Sequence, residues 1–350
     1  MDSCLIVINP NRTPRQIRKL RTLLEPIKPY SIVEAKSRDE FLRVVKEFSH
    51  SPLPYMIVWG GDGTAHDAIN VLMQEGKGKE KAIGVMRGGS GNGIQDSYEI
   101  PFRLKAQVEA FVESIQKSYT IAVDLLATET ERGMEYGQLV GFGFDVRILQ
   151  RRNSRISRSG EVKSGFFNYF IATAMTILTE PLRDGNTYTL EFEEGRYVLR
   201  ATRINAEMPF RTLRLSSDAP MIEIGTRPYY GRMFKVCPDV VCNNGLMGAY
   251  LFNFQNKWDI IRDLYYLWNG WHHRINYRFA RQEKPIIQHF EMKRAALSSH
   301  GPFLYHIDGE LRSTKVALKV EVVPQVINFL VPGVFYRKFH PFGEEATILL

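Results

Sequence analysis

The stretch Trp59–Met73, WGGDGTAHDAINVLM, decides the fold. The apolar run Met56, Ile57 and Val58 leads into it, and Ala65, Ala68, Ile69, Leu72 and Met73 follow at helical spacing. That pattern reads as a strand, a tight glycine turn and a helix. Gly60, Gly61 and Gly63 bracket a single acid, Asp62. Glycine lets backbone approach a ligand closely and permits positive φ. The helix start just beyond presents unpaired N–H groups and the positive end of the helix dipole, which suits phosphate. An acid inside a phosphate-binding turn repels the phosphate unless it carries a metal ion or handles a proton. The turn therefore points to nucleotide chemistry.

A second loop makes the reading more specific. In residues 83–93, IGVMRGGSGNG, a short apolar strand runs into Gly88, Gly89, Ser90, Gly91 and Asn92. Two strand–glycine-loop units ~30 residues apart fit a doubly wound sheet whose ligand lies beyond the strand C-termini. Around them the first ~120 residues alternate strand and helix, as in an α/β domain with a mostly parallel sheet. Leu5–Ile8 reads as a strand, Thr13 and Pro14 open a helix to Leu24, and Ser37 caps another over Phe41–Phe48. From Thr120 onward short alternating segments dominate, among them Gln138–Phe142, Thr187–Glu193, Tyr197–Asn205 and Val316–Val323. Glu194–Gly195 and Asn244–Gly245 read as turns between segments, so the second domain is expected to be antiparallel and β-rich.

A chain of 350 residues, 44% of them hydrophobic, is long enough for two domains with sizeable cores. Its three cysteines, Cys4, Cys237 and Cys242, are too few for a disulfide framework and read as buried thiols in a reducing compartment. No apolar run is long enough to cross a membrane as a helix. The opening MDSCLIVINP lacks the basic start and long apolar core of a signal peptide, so a soluble, cytoplasmic protein is expected. The net charge of +8 suits anionic lipid, nucleotide phosphate or nucleic acid. Basic clusters occur at Arg12, Arg15, Arg18, Lys19 and Arg21, and at Arg147, Arg151, Arg152, Arg155 and Arg158. No nucleic-acid motif accompanies either, so no nucleic-acid partner is expected.

Asn9–Pro10, GGDGT at 60–64, GSGN at 89–92, GFGFD at 141–145 and DGE at 308–310 follow the order found in the diacylglycerol kinase catalytic family. The chain resembles that family, which includes bacterial diacylglycerol kinases, sphingosine kinases and ceramide kinases and is distantly related to NAD kinases. The resemblance runs from Ile6 to about Pro332. It implies a two-lobed NAD kinase/diacylglycerol kinase-like fold, with a nucleotide-binding α/β domain over 1–122, joined by 330–350 crossing back, and a β-rich lipid-substrate domain over 123–329. It implies ATP and Mg²⁺, and transfer of the γ-phosphate to a hydroxyl of a membrane lipid, diacylglycerol first and a sphingoid base second. It also implies transient, peripheral contact with a membrane surface and leaves a homodimer open. NAD kinases share GGDGT, but DGE at 308–310 and GFGFD point to the lipid kinases. The presence of Asp62, Asn92, Asp308 and Glu310 argues against an inactive lipid-binding module.

Phosphoryl transfer needs cradled phosphates, Mg²⁺ and an oriented hydroxyl. Asp62 suits metal or proton work, with a helix N-cap carboxylate as its plainer alternative. By resemblance to sphingosine kinases it is the base. Asp308 and Glu310 flank Gly309, and residues i and i+2 can share one face, which suits Mg²⁺ and general-base action. By resemblance to bacterial diacylglycerol kinases, Asp308 is the base. The sequence leaves these two acids as rival bases, with Asp62, Asp308 and Glu310 as metal ligands.

Asn9, Gly60, Gly61, Gly63, Thr64, Gly89, Ser90, Gly91, Asn92 and Glu310 are expected at the nucleotide. Asp67 stands where the family has a nucleotide-binding Glu. Asp145 in GFGFD and Asp124 in VDLL match family acids beside the acceptor substrate, and each also reads as a structural acid satisfied by backbone N–H groups. His66 reads as a helix-surface residue, and the Arg151–Arg158 run as a reach toward the phosphates or a solvated loop.

Several positions depart from the family. Arg87 replaces a Pro, Gly93 an Asp, and Asn243–Asn244 an acidic turn that helps hold a structural Mg²⁺ in bacterial relatives, so that ion is not expected. Arg147 stands where sphingosine kinases place an acid against the substrate amine. A cation there repels an ammonium head and favours an uncharged lipid. Residues 258–281 combine three tryptophans with other aromatics and arginines. They read either as an interfacial segment or as a core helix followed by a strand, with Ile260, Ile261, Leu264, Leu267 and Trp268 inward.

Overall fold

The computed structural model describes residues 4–9, 14–25, 30–130, 133–159, 175–177, 179–183, 185–201, 204–231, 234–315 and 317–340. The chain forms two compact units, Met1–Val123 with Val326–Leu350, and Asp124–Gln325. Pro10, Arg12 and Thr13 lie outside the described residues.

In the first unit β1 (Cys4–Ile8), β2 (Tyr30–Glu34), β3 (Tyr55–Gly60) and β4 (Ala82–Arg87) are parallel and ordered β2-β1-β3-β4. The helices α1 (Pro14–Leu24), α2 (Arg38–His50), α3 (Asp62–Gln74), α4 (Gly93–Ser97) and α5 (Leu104–Gln116) connect or follow these strands. β1, β3 and β4 are buried almost throughout, which is why they read as unbroken apolar runs rather than alternating ones. Ser37 caps α2 as expected, its Oγ accepting the Glu40 N–H at 3.1 Å. The end of the last strand, β17 (Ala317–Leu330), adds parallel to β4, with Asn328 and Phe329 opposite Ala82 and Ile83. Ser114 Oγ fixes the chain just beyond by donating to Val331 O (2.7 Å), and Tyr98 stacks on Phe329.

The second unit rests on an antiparallel arrangement. Its strands are the greater part of β5 (Thr120–Thr130), β6 (Gly133–Gly137), β7 (Leu139–Gly143), β8 (Tyr188–Ala201), β9 (Ile204–Ser217), β10 (Met221–Gly225), β11 (Tyr229–Gly231), β12 (Phe234–Lys235), β13 (Met247–Phe252), β14 (Gln288–Ser298), β15 (Phe303–Ile307) and β16 (Glu310–Thr314), with the first part of β17. The main path is β16-β15-β7-β10-β13-β14-β17, the long β8–β9 hairpin pairs with β14 through β8, β5 pairs with β6, and β11 pairs with β12. Alternation sorts the two faces. Val140, Phe142, Ile222, Ile224, Ala249 and Leu251 join Tyr188, Leu190 and Phe192 in one core. Leu139, Tyr250 and Phe252 face the other way, onto Phe144 and Ile148 of α6 (Phe144–Ser159) and onto Leu267, Ile275 and Phe279.

Two expectations change. Glu194–Gly195 is no turn: it lies inside β8, with Glu194 at φ 51°. Gly195 stands opposite Met292, and a Cβ there would collide with the Glu291 carbonyl, so the glycine marks close strand approach. Residues 258–281 form two helices, Lys257–Trp268 and His272–Arg281, not a helix and a strand.

Candidate functional site

The order β2-β1-β3-β4 reverses direction between β1 and β3, and in a doubly wound sheet the ligand crevice opens at such a reversal, beyond the strand C-termini. Asn9 follows β1, Gly61–Thr64 follow β3, and Gly88–Asn92 follow β4. Asn9 Nδ2 donates to Thr64 Oγ1 at 2.8 Å, tying the end of β1 to the first turn of α3.

The glycines of the two loops serve each other. None of Gly60, Gly61, Gly63, Gly88, Gly89 and Gly91 has positive φ. A Cβ on Gly61 would lie 2.8 Å from Gly89 Cα, and one on Gly88 3.0 Å from the Gly60 backbone. The left-handed residue is Asn92, at φ 58°. Its Oδ1 accepts the Gly89 N–H and its Nδ2 donates to Gly89 O, both at 2.9 Å, so the side chain expected at the nucleotide closes its own loop. Asp62 is half-buried, and its Oδ1 accepts the Ile94 N–H at 2.9 Å. A Cβ on Gly91 would lie 2.6 Å from Asp62 Oδ2, so the carboxylate of the first loop rests against the second.

Other residues of this unit are committed to the protein. Asp67 forms a two-pronged pair with Arg38, at 2.8 and 2.6 Å. Arg87 pairs with Asp96 at 2.6 Å, donates through Nε to Ile100 O at 2.7 Å and lies over the Phe102 ring. His66 is buried rather than on the surface, with Asn70 3.3 Å from its Nε2.

In the second unit the DGE motif is divided. Asp308 (φ 50°) and Gly309 (φ 89°) are the central residues of the β15–β16 turn, with Ile307 opposite Glu310. Positive φ at both central positions is the type I′ hairpin, for which Asp-Gly is a preferred sequence. The turn buries Asp308 and exposes Glu310, so the two acids do not share one face. Asp308 accepts the Gln138 N–H at 3.2 Å and pairs with the guanidinium of buried Arg227 at 3.1 Å. Asp124 accepts the N–H groups of Gln325 (2.8 Å) and Gly245 (2.7 Å). Burial pushes its pKa up while those donors pull the other way. This is the structural role that its sequence context also allowed.

Asp145 lies in the first turn of α6, buried, with Oδ2 2.6 Å from His306 Nε2. Glu223 Oε1 is 3.8 Å from the same nitrogen. Burial alone would lower His306, but Asp145 and then Glu223 outweigh it and hold the imidazole up at about 10. Burial, reinforced by Asp145, pushes Glu223 up to about 8. The Gly309 N–H approaches His306 Nδ1 at 3.3 Å, which favours the neutral ring, and the closer Asp145 contact outweighs it. Glu223, His306 and Arg227 were not singled out in the sequence. The available signal was a polar residue between apolar neighbours: Glu223 between Ile222 and Ile224, and His306 between Tyr305 and Ile307.

Arg147 donates to the carbonyls of Pro181 (2.6 Å) and Leu182 (2.7 Å), and Arg151 pairs with Glu180 at 2.6 Å. The side chains of Arg155 and Arg158 lie outside the described residues. The Lys257–Trp268 helix meets its expectation in part: Leu267 is buried and Ile260 packs against the same core, but Ile261 and Leu264 face outward. Its inner face carries Asp259, paired with Arg262 (2.6 Å) and Lys284 (2.9 Å), and Asp263, paired with Arg278. Trp258 (77%), Tyr265 (65%), Ile261 (43%) and Leu264 (38%) are exposed. Buried acids need their cations, so pairing with Lys284 and Arg278 leaves Ile261 and Leu264 outward. Among the described residues no helix is long and apolar enough to cross a membrane.

Residues 3–127 match the family described as diacylglycerol kinase catalytic domain. A diacylglycerol kinase of Mycobacterium tuberculosis (strain ATCC 25618 / H37Rv) is 22% identical over 267 residues, 76% of this chain and 75% of that protein. The fold resembles a crystal structure of a diacylglycerol kinase from Bacillus anthracis str. Sterne, with a TM-score of 0.61 at 14% identity, covering 95% of this chain and 98% of that one. Another structure from that organism gives a TM-score of 0.65 at 16% identity, covering 95% and 97% of the two chains.

Proposed function

We propose that this chain is a lipid kinase of the diacylglycerol kinase catalytic-domain family, which residues 3–127 match, and that it uses ATP and Mg²⁺ to phosphorylate the hydroxyl of diacylglycerol, giving phosphatidic acid. The observation that carries this reading is the pair of interlocked glycine loops at the sheet's reversal, with Asp62 held between them. Phosphoryl transfer is catalysed by positioning and charge neutralisation, and two rigid loops beyond parallel strands supply the positioning. Asp62 is the base in this reading. Its rival Asp308 is buried against Arg227 and Gln138, whereas Asp62 is only half-buried and is oriented by the Ile94 N–H. Asp62 would hold the Mg²⁺ in this reading, and the ion would neutralise phosphate charge.

The acceptor is an uncharged lipid because the Arg147 guanidinium, clamped on two carbonyls, keeps a fixed positive charge where a sphingoid ammonium would need an acid. The outward stripe Trp258, Ile261, Leu264 and Tyr265 supports docking on a membrane interface, and the net charge of +8 favours an anionic surface. The test presents γ-labelled ATP and Mg²⁺ with mixed micelles holding diacylglycerol, sphingosine, ceramide or monoacylglycerol, with NAD as a soluble acceptor. Label confined to phosphatidic acid is the expected result. Label in sphingosine overturns the argument from Arg147, and label in NAD alone overturns the lipid acceptor.

A further inference from the structure

Three neighbouring strands of the second unit contribute to one buried polar cluster. His306 of β15 stands opposite Gly141 of β7, and Gly141 stands opposite Glu223 of β10. Asp145 reaches the same point from α6. The middle position of these three has no side chain. A Cβ on Gly141 would lie 2.6 Å from Asp145 Oδ2 and 2.8 Å from Glu223 Oε1, and would collide with His306 Nε2. The glycine therefore keeps open a small space lined by one imidazole nitrogen and two carboxylates, whose ligand atoms all lie within 4.8 Å of one another.

All three side chains are buried, and among the described residues neither carboxylate has a hydrogen-bond partner outside the cluster. Buried carboxylates are normally hydrogen-bonded, paired or on a metal, and a single imidazole answers only part of two. The geometry points to a divalent-cation site formed by Asp145, Glu223 and His306 around Gly141. One imidazole with two carboxylates suits Zn²⁺ or Mn²⁺ rather than Mg²⁺, which prefers oxygen alone, and three protein ligands leave a position for water. Binding displaces the protons that otherwise hold the cluster together. With Nε2 on the ion, Nδ1 carries the imidazole proton, and the Gly309 N–H, 3.3 Å away, must move off it. Loading is therefore felt in the Asp308–Gly309 turn. This ion is separate from the nucleotide's Mg²⁺, and its existence does not depend on which lipid is phosphorylated.

The experiment takes the full chain without nucleotide, stripped with chelator, and titrates Zn²⁺, Mn²⁺ and Co²⁺ by calorimetry, visible absorption and thermal unfolding. The expected result is about one ion per chain, a Co²⁺ d–d band that millimolar Mg²⁺ does not abolish, and a Tm several degrees higher when loaded. In Glu223→Gln and Gly141→Ala the affinity falls by roughly tenfold or more. If those variants do not fold, the wild-type Co²⁺ spectrum and Tm shift decide. Wild-type protein with neither band nor Tm shift overturns the site, as does a folded Glu223→Gln chain that keeps a full equivalent.

Discussion

Asp62 and Asp308 each sit beside a glycine, yet their surroundings give opposite consequences for substitution. Asp308→Asn leaves the buried Arg227 guanidinium without its anion, which costs about 3–5 kcal/mol. Its Tm should fall with its activity. Asp62→Asn keeps an oxygen for the Ile94 N–H. Its Tm should stay close to wild type while turnover drops about 10²–10⁴-fold, the usual contribution of a general base. Thermal unfolding alongside initial rates separates the two, and the reverse pattern would return the base role to Asp308. Gly61→Ala makes a different point. Its Cβ meets the Gly89 Cα at 2.8 Å, backbone against backbone with no side chain to yield. Destabilisation of about 1–3 kcal/mol is expected, measured by urea unfolding.

At the scale of elements, the Lys257–Trp268 helix carries the claim about membranes. Trp258→Glu with Tyr265→Glu removes its largest exposed apolar groups without touching the Asp259 and Asp263 pairs beneath. Activity on long-chain diacylglycerol in anionic vesicles should fall severalfold, with activity on a short-chain, soluble diacylglycerol unchanged. Equal activity on vesicles would dismiss the docking face. Across the sheet, His289 of β14 and His272 are both buried, and burial lowers each to about 3. Their folded pKa lies below the unfolded value of about 6.5, so their contribution is complete above that pH and is lost as pH falls toward 3. Each subtracts roughly 1.4 kcal/mol per pH unit through that window. Glu223, raised to about 8, acts in the opposite sense, its contribution being lost as pH rises from its unfolded value. The clean readout is therefore the difference between wild type and a His272→Gln/His289→Gln variant. Between pH 6.5 and 5 wild type should lose more stability than the variant, and parallel losses would show that these histidines do not titrate as buried neutral rings.

At the scale of the whole chain, what was legible followed from local physics. The parallel sheet could be read because β1, β3 and β4 are buried on both faces and β3 and β4 run into turn glycines. The loop residues Asn9, Asp62, Thr64 and Asn92 could be read because few other contexts need that many glycines beside one acid. The partners of each acid were not legible, because they come from far along the chain: Arg227 for Asp308, Gln325 and Gly245 for Asp124, His306 for Asp145. Glu194–Gly195 misled for a related reason, since close strand approach and a tight turn use the same residue types. Ile261 and Leu264 misled because their apolar spacing is the same whether they face a core or solvent.

The most direct measurement is the rate of label transfer from γ-labelled ATP to diacylglycerol in mixed micelles with Mg²⁺, for wild type and for Asp62→Asn shown to be folded. Wild type should give labelled phosphatidic acid, with a loss of about 10² or more in the variant. An unchanged rate in Asp62→Asn would exclude Asp62 as the base, and a wild-type chain that labels no lipid would exclude a lipid kinase.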